Sequence, residues 1–210
     1  MVLLLDSSGN HLVAGLADPR RGVVAEAAHP AGTVASRDLS AVVEDLLEAA
    51  GCGVPDSVIA GTGPGTFIGT RMAVSFANGL AAATGCELRG VGSLAAFAAV
   101  HSGPVAVVRD ARRGQAYLYL SGGADPQTEL VPLDQLSSRI EDAGVQRVVL
   151  ESARSDDAKG AARVAEMAHL LGPIAELEAV EMVPVAGLWQ SGPGASALAY
   201  LEPEYHRGFL

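Results

Sequence analysis

Residues 61–71 read GTGPGTFIGTR, and this stretch decides the fold. Before it, residues 57–60 form a short apolar run of the kind that makes a buried strand. After it, an apolar pattern predicts a long helix over residues 66–84, which Gly85 ends. A strand that passes through a glycine-rich turn into a helix is the βα unit of α/β proteins. The sequence therefore predicts an α/β fold.

The glycine-rich turn is a candidate anion or nucleotide loop. Backbone N–H groups at the start of a helix suit a negative charge. The turn lacks the Gly-Lys-Ser/Thr of a Walker loop, and its glycines do not have dinucleotide-fingerprint spacing. A tight structural corner is the alternative, and we leave both open. The candidate loop residues are Asp6, Ser7, Gly63, Gly65, Thr66 and Asp110.

The helix that follows the turn is apolar around most of its circumference. Its polar residues Arg71, Ser75 and Asn78 form one narrow stripe. Gly69, Ala73 and Ala77 are four apart, a spacing that lets another backbone approach closely. Such a helix is either buried within its own domain or covered by a helix of a partner protein. The residues alone do not distinguish these two interpretations.

The same pattern starts twice along the chain. An apolar run, an Asp, a turn with glycine and a second strand begin at residues 2–5 with Asp6 and again at residues 105–109 with Asp110. We interpret this as an internal repeat, as in the two-lobed architecture of actin, Hsp70 and the sugar kinases. The Ser-Gly-Pro break at 102–104 separates the lobes. The predicted division is 1–102 and 103–210, with a tail that packs back on the first lobe.

Composition limits the function classes. The 210 residues carry a formal net charge of −10, and Lys159 is the single lysine. So acidic a chain repels phosphate backbones, and we expect no tight direct binding to tRNA or other nucleic acid. Cys52 and Cys86 fit no metal spacing and no disulfide framework. The short apolar start ends at Asp6, so we expect no signal peptide, no membrane span and a cytoplasmic protein.

Three stretches together resemble the TsaB (YeaZ) family. They are residues 63–71 (GPGTFIGTR), 90–94 (GVGSL) and 110–117 (DARRGQAY). The Asp-Ser-Ser opening at 6–8 and the tail at 203–207 also fit the family. The departures from the family pattern are Ala35, Thr66, Ile68 and Thr70, where the family usually has His, Ser, Thr and Leu.

This resemblance implies a two-lobed actin-like ATPase (ASKHA) fold, each lobe a mixed sheet with flanking helices. It implies a non-catalytic scaffold partner of a TsaD-like enzyme, an inactive paralogue required when threonylcarbamoyl is placed on adenosine 37 of tRNAs that read ANN codons. It also implies a heterodimer with a TsaD-like subunit, a TsaE-like ATPase as a further partner, and a homodimer when the chain is alone. The chain would have no cofactor of its own, with ATP or ADP at the partner interface.

The resemblance also implies site residues, none of them catalytic or metal-binding. The family's relatives carry a His-x-x-x-His metal pair, and no two of the five histidines here are four apart. The partner would dock on the helices of the first lobe. The expected interface residues are Ser36, Leu39, Val43, Gly69, Met72, Ala73, Phe76, Ala77 and Leu80.

Two other classes of function are weighed. In an active ATPase or phosphotransferase of the same fold, Asp6 and Asp110 would hold Mg²⁺ through water. That role is weakened because the first hairpin has no Lys or Arg before Arg20. A serine hydrolase is disfavoured because the chain contains no Gly-x-Ser-x-Gly nucleophile elbow.

Overall fold

A computed structural model of the chain describes residues 1–31, 35–123, 126–154 and 156–206, with 35–38 described as backbone alone. The described chain groups into two compact units. Unit 1 contains Met1–Val100 and Val183–Tyr205, and unit 2 contains His101–Met182 together with His206. The late segment Val183–Tyr205 is therefore grouped with the N-terminal residues.

Unit 1 is built on a mixed sheet in the order β5-β4-β1-β2-β3. Its strands are β1 (Val2–Asp6), β2 (His11–Asp18), β3 (Gly22–Pro30), β4 (Ser57–Gly61) and β5 (Glu87–Val91). The first three form an antiparallel meander because short turns, SSGN at 7–10 and PRR at 19–21, join them. β4 and β5 run parallel to β1, and every residue of the central strand β1 is buried.

Two helices cover one face of this sheet. α1 (Ala35–Ala49) and α2 (Phe67–Thr84) share one apolar core with Leu3 and Leu5 of β1. Because side chains alternate along a strand, Leu4 points to the opposite face, and it too is fully buried. α3 (Ser93–Ala99) follows β5, and Gly85 ends α2 in the left-handed conformation, as its position predicts.

Unit 2 repeats this plan. Its strands are β6 (Ala106–Arg112), β7 (Gln115–Leu120), β8 (Thr128–Pro132), β9 (Arg147–Glu151) and β10 (Glu176–Val180). Their order is β10-β9-β6-β7-β8, which is the order of unit 1 strand for strand. The helices α4 (Leu133–Asp142) and α5 (Ala158–Leu171) pack Leu136, Ile140, Met167 and Leu171 into its core. The internal repeat predicted from the two Asp-containing starts is confirmed.

The end of the chain returns to unit 1. α6 (Val185–Ser191) packs on α3, where a Cβ on Gly187 would lie 1.9 Å from the carbonyl oxygen of Ala96. Gly15 makes a similar approach to Val185. A short strand β11 (Ala197–Leu198) then pairs with β5. Residues 196–201 contain no helix, although their composition would permit a short one, because Ala197–Leu198 pair with the sheet edge and 199–200 form a bend.

The two mixed sheets with flanking helices confirm the predicted α/β fold class. Among the described residues, no helix combines the length and the apolar composition that crossing a bilayer requires.

Candidate functional site

Asp6 lies at the end of β1 and is completely buried. Its Oδ1 accepts hydrogen bonds from the backbone N–H of Ser8 at 2.7 Å and from the Ser8 hydroxyl at 2.8 Å. Its Oδ2 accepts a short hydrogen bond from the hydroxyl of Ser93, at the start of α3. Both carboxylate oxygens therefore hold the β1–β2 turn and α3 together, which satisfies the buried charge.

The glycine-rich loop directs its polar groups inward. The N–H of Gly63 donates to the Ser93 hydroxyl at 3.0 Å, and the N–H of Thr66 donates to the carbonyl oxygen of Ser8 at 2.7 Å. The N–H of Ser93 in turn donates to the carbonyl oxygen of Gly63 at 2.7 Å. Pro64 has no N–H to offer. These bonds favour the structural corner, and the anion or nucleotide role of the loop stays a prediction.

At three positions glycine is required because atoms of residues 6–8 lie too close for any side chain. An added Cβ would lie 1.7 Å from Asp6 Oδ2 at Gly61 and 2.1 Å from the Ser8 carbonyl oxygen at Gly65. At Gly69, it would lie 1.8 Å from the Ser7 carbonyl oxygen. No side chain fits at such distances, so the β1–β2 turn sits directly against the loop and the first turn of α2. The Ser7 hydroxyl donates to the Gly69 carbonyl oxygen at 2.6 Å and fixes this contact.

Asp110 lies in unit 2, at the hairpin between β6 and β7. Its Oδ1 accepts from the N–H of Arg112 at 2.7 Å, and its Oδ2 accepts a short bond from Nε of Arg163. That hydrogen bond is the main reason that the pKa of Arg163 is raised above its ordinary value. Arg112 and Arg113 both have positive φ, at 62° and 56°, which places two exposed arginines on a left-handed turn.

A buried ion pair in unit 2 was not expected from the sequence. Arg109 on β6 and Glu151 on the parallel strand β9 are each about 5% exposed and pair through Nε and Oε2. A second contact joins Arg109 Nη2 to Glu151 Oε1 at 3.3 Å. The sequence did contain a hint of this pair, because Arg109 follows the apolar run 105–108 and Glu151 follows the apolar run 148–150. Each charge of the pair offsets the cost of burying the other, because either charge alone would be strongly destabilising in the interior.

The expected partner groove of α2 is not on the surface. Ala73 and Ala77 are 0% exposed, and Gly69 is buried against Ser7. Leu39 and Val43 of α1 belong to the same core. The interface prediction is therefore corrected for these five residues, because their side of each helix packs on the sheet of unit 1. The side chain of Ser36 lies outside the described residues.

A different face of α2 points away from the sheet. Ile68 is 75% exposed, while Met72, Phe76 and Leu80 of the expected interface are half-buried. Ser75 and Gly79 are exposed between them, and a Cβ on Gly79 would meet nothing within 4 Å. We call Ile68, Met72, Ser75, Phe76 and Gly79 the outward face. It combines apolar side chains with small residues at helical spacing, and the described residues contain no cluster of three metal-ligand side chains here or elsewhere.

Known proteins resemble both the sequence and the fold. An uncharacterized protein, ML0378, of Mycobacterium leprae (strain TN) is 37% identical over 109 residues, which is 46% of this chain and 30% of the relative. The chain thus spans about a third of the length of this curated relative.

Two solved structures share the fold over almost the whole chain. One is an uncharacterized protein similar to peptidase YEAZ from Pseudomonas aeruginosa, with a TM-score of 0.76, 21% identity and 98% and 99% of the two chains covered. The other is YeaZ from Pseudomonas aeruginosa, with a TM-score of 0.74, 21% identity and 97% and 98% covered.

The family model described as TsaD, tRNA N6-adenosine threonylcarbamoyltransferase, matches residues 15–130, which is over half of the 210 residues. The chain therefore belongs to the TsaD family and shares the fold of the two YeaZ-type structures, and the family resemblance drawn from its sequence is confirmed.

Proposed function

We propose that this chain is the non-catalytic partner of a TsaD-like enzyme that places threonylcarbamoyl on adenosine 37 of tRNAs reading ANN codons. It is an inactive paralogue that the complex requires for the transfer. A TsaE-like ATPase joins the assembly, and ATP or ADP binds at the partner interface rather than within this chain. Membership of the TsaD family supports the role in tRNA modification.

The outward face of α2 is the observation that carries the scaffold role. Ile68 is 75% exposed, more than any other large apolar side chain that the structure describes. Ser75 and Gly79 leave room beside it for a second helix to approach closely, because they add little volume above the backbone. An apolar helix face of this kind is stabilised when a partner covers it. The partner contacts therefore lie one stripe away from Gly69, Ala73 and Ala77.

The alternative of an active ATPase receives no support from the two Asp-containing hairpins. Asp6 is fully buried and accepts three hydrogen bonds from Ser8 and Ser93. The carboxylate of Asp110 is shared between Arg112 and Arg163. A carboxylate that holds Mg²⁺ through water must present an oxygen to that water, and these oxygens are engaged within the protein.

Co-purification with a TsaD-like subunit tests the proposal, using the variant Gly79→Arg. We expect this variant to fold, because a side chain at residue 79 meets open space, and to bind the subunit at least a hundredfold more weakly. The control is Gly53→Arg, which adds the same side chain at another open glycine and should bind normally. The isolated chain should pair with itself through the same face, so Gly79→Arg should also elute later on gel filtration.

Three results would each contradict a part of the proposal. Wild-type chain that fails to bind any TsaD-like subunit, and that adds nothing to threonylcarbamoyl transfer in a reconstituted reaction, would remove the scaffold role itself. Normal binding by a folded Gly79→Arg variant would instead place the interface elsewhere. Steady ATP turnover by the purified chain alone would contradict the non-catalytic assignment.

A further inference from the structure

The residues 198–205, which we call the strap, cross the surface of unit 1 and are held at both ends. At the upstream end, Arg89 of β5 donates through Nη1 to the carbonyl oxygens of Gly192 at 3.2 Å and Ala195 at 3.1 Å. These bonds fix the turn that leads into β11. At the downstream end, Tyr205 is the last residue that groups with unit 1. The strap is therefore a defined connection rather than a loose tail.

The middle of the strap is anchored by Asn78 of α2. The Asn78 amide accepts from the N–H of Leu201 at 2.8 Å through Oδ1 and donates to the Leu201 carbonyl oxygen at 3.0 Å through Nδ2. One side chain thus satisfies both backbone groups of one residue, as a neighbouring strand would. Leu201 is 1% exposed, and a Cβ on Gly90 would come within 2.8 Å of its Cδ2.

The strap then bonds to both ends of the glycine-rich loop. The N–H of Glu204 donates to the carbonyl oxygen of Thr62, at the start of the loop, at 2.7 Å. Beyond the loop, Nε of Arg71 donates to the Tyr205 hydroxyl at 2.6 Å, and its guanidinium carbon lies 3.8 Å from the centre of the Phe67 ring. The ring centres of Tyr205 and Phe67 are 6.2 Å apart, so a hydrogen bond and an aromatic contact join the strap to the first turn of α2. Two of the three polar residues of α2 noted in the sequence serve this purpose.

Before the anchor at Leu201, the chain makes few contacts that would hold it in place. β11 is two residues long and both are exposed, and Tyr200 is 63% exposed. Segments with few buried apolar contacts open at a smaller free energy than the core beneath them. Opening of the strap would remove the Glu204–Thr62 hydrogen bond and the Tyr205–Phe67 contact together.

We propose that the strap is a releasable latch that orders the glycine-rich loop, with Asn78 as its anchor and the Arg71–Tyr205 pair as its catch. When it is closed, Thr62 and Phe67 are fixed and the loop N–H groups stay on Ser93 and Ser8. When it is open, the loop gains freedom while the sheet of unit 1 stays folded. The latch operates whether or not the outward face binds a partner.

Amide hydrogen exchange of the full chain tests this proposal with the variant Asn78→Ala. The amides of residues 201 and 204 should exchange at least tenfold faster, and those of Gly63 and Thr66 should accelerate with them. Ser75→Ala, an exposed position on the same helix, should leave all four within twofold of wild type. Faster exchange of 201 and 204 with an unchanged loop would overturn the latch, and so would wild-type rates at all four amides.

Tyr205→Phe keeps the proposal testable if Asn78→Ala fails to fold. This change removes only the hydroxyl that accepts from Arg71. It should speed exchange at residue 204 and at the loop several-fold while residue 201 keeps its protection. Unchanged exchange at the loop in folded Tyr205→Phe would show that the strap does not order it.

Discussion

The same substitution at two glycines of α2 should change stability in opposite directions. Gly69→Ala adds a Cβ that would lie 1.8 Å from the Ser7 carbonyl oxygen and 2.5 Å from Thr66 Oγ1. Gly79→Ala adds the same atom in open space, with nothing within 4 Å. The chemical change is identical, so any difference in outcome reports how closely the β1–β2 turn approaches the helix.

The magnitudes follow from these distances. Alanine in place of a mid-helix glycine stabilises a helix by about 1 kcal/mol, which is the full expectation at Gly79. At Gly69 the turn must move away from the added Cβ, and overpacking of this kind costs about 1–3 kcal/mol. The movement also breaks the Ser7–Gly69 hydrogen bond of 2.6 Å, whose net worth is about 1 kcal/mol. We therefore expect Gly69→Ala to lower the free energy of unfolding by about 2–4 kcal/mol.

Urea unfolding followed by tryptophan fluorescence measures this difference. Trp189 is the single tryptophan of the chain and lies in α6, so its emission reports on unit 1. Equal stabilities of Gly69→Ala and Gly79→Ala would refute the close approach of Ser7 to α2. A stabilised Gly69→Ala would also refute it, because it would mean that a side chain fits where the structure leaves no room.

Three further predictions concern the core, a helix cap and pH. Ala73→Arg places a charge in the unit 1 core at a 0% exposed position and should lower the free energy of unfolding by several kcal/mol. Trp189 fluorescence should therefore show an unfolded protein without urea. A folded variant would contradict the conclusion that this face of α2 is buried. Asp157→Ala removes the cap that accepts from the Gly160 N–H at 2.8 Å, and should lower the stability of unit 2 by about 1 kcal/mol in circular dichroism while the Trp189 transition is unchanged. Burial raises the pKa of Tyr119, so above about pH 10 the unfolded chain loses this proton before the folded chain does, and stability falls as pH rises. Tyr119→Phe should show a smaller fall in stability in urea titrations over this pH range. An identical fall would refute the raised pKa.

The elements with continuous apolar runs could be predicted from the sequence. The apolar run predicted as a buried strand at 57–60 forms β4 (Ser57–Gly61), and the helix predicted over 66–84 is α2 (Phe67–Thr84), because the glycine-rich turn separates them and Gly85 ends the helix. β8 and β10 escaped prediction because both are five-residue edge strands that contain polar or acidic residues (TELVP and ELEAV), so neither forms an apolar run. Residues 196–201 have a helical composition, yet pairing with β5 and the buried seat of Leu201 outweigh that local preference.

The candidate site shows a different limit. Helical periodicity correctly predicts that Gly69, Ala73 and Ala77 share one face of α2, but it does not say whether that face is inside. Ser75 and Gly79 form a second set of small residues nearby, and composition alone cannot rank the two. The sequence repeat places Asp6 and Asp110 at corresponding hairpins, as the structure has them, while their hydrogen-bond partners Ser93 and Arg163 are distant in sequence and carry no local signal.

The return of Val183–Tyr205 to unit 1 has a consequence for synthesis on the ribosome. Unit 1 begins at Met1 but gains α6 and Leu201 only when about a hundred further residues have been made, which takes about 5–20 s at ordinary rates of translation. During that interval α6 is absent, so Leu4 and the face of the sheet that carries α3 stay uncovered. Nearly all of unit 2, in contrast, is one continuous stretch of the chain. Residues 101–182 of unit 2 are thus synthesised before unit 1 is complete, and a nascent chain halted before Val183 would expose an unfinished apolar sheet to chaperones.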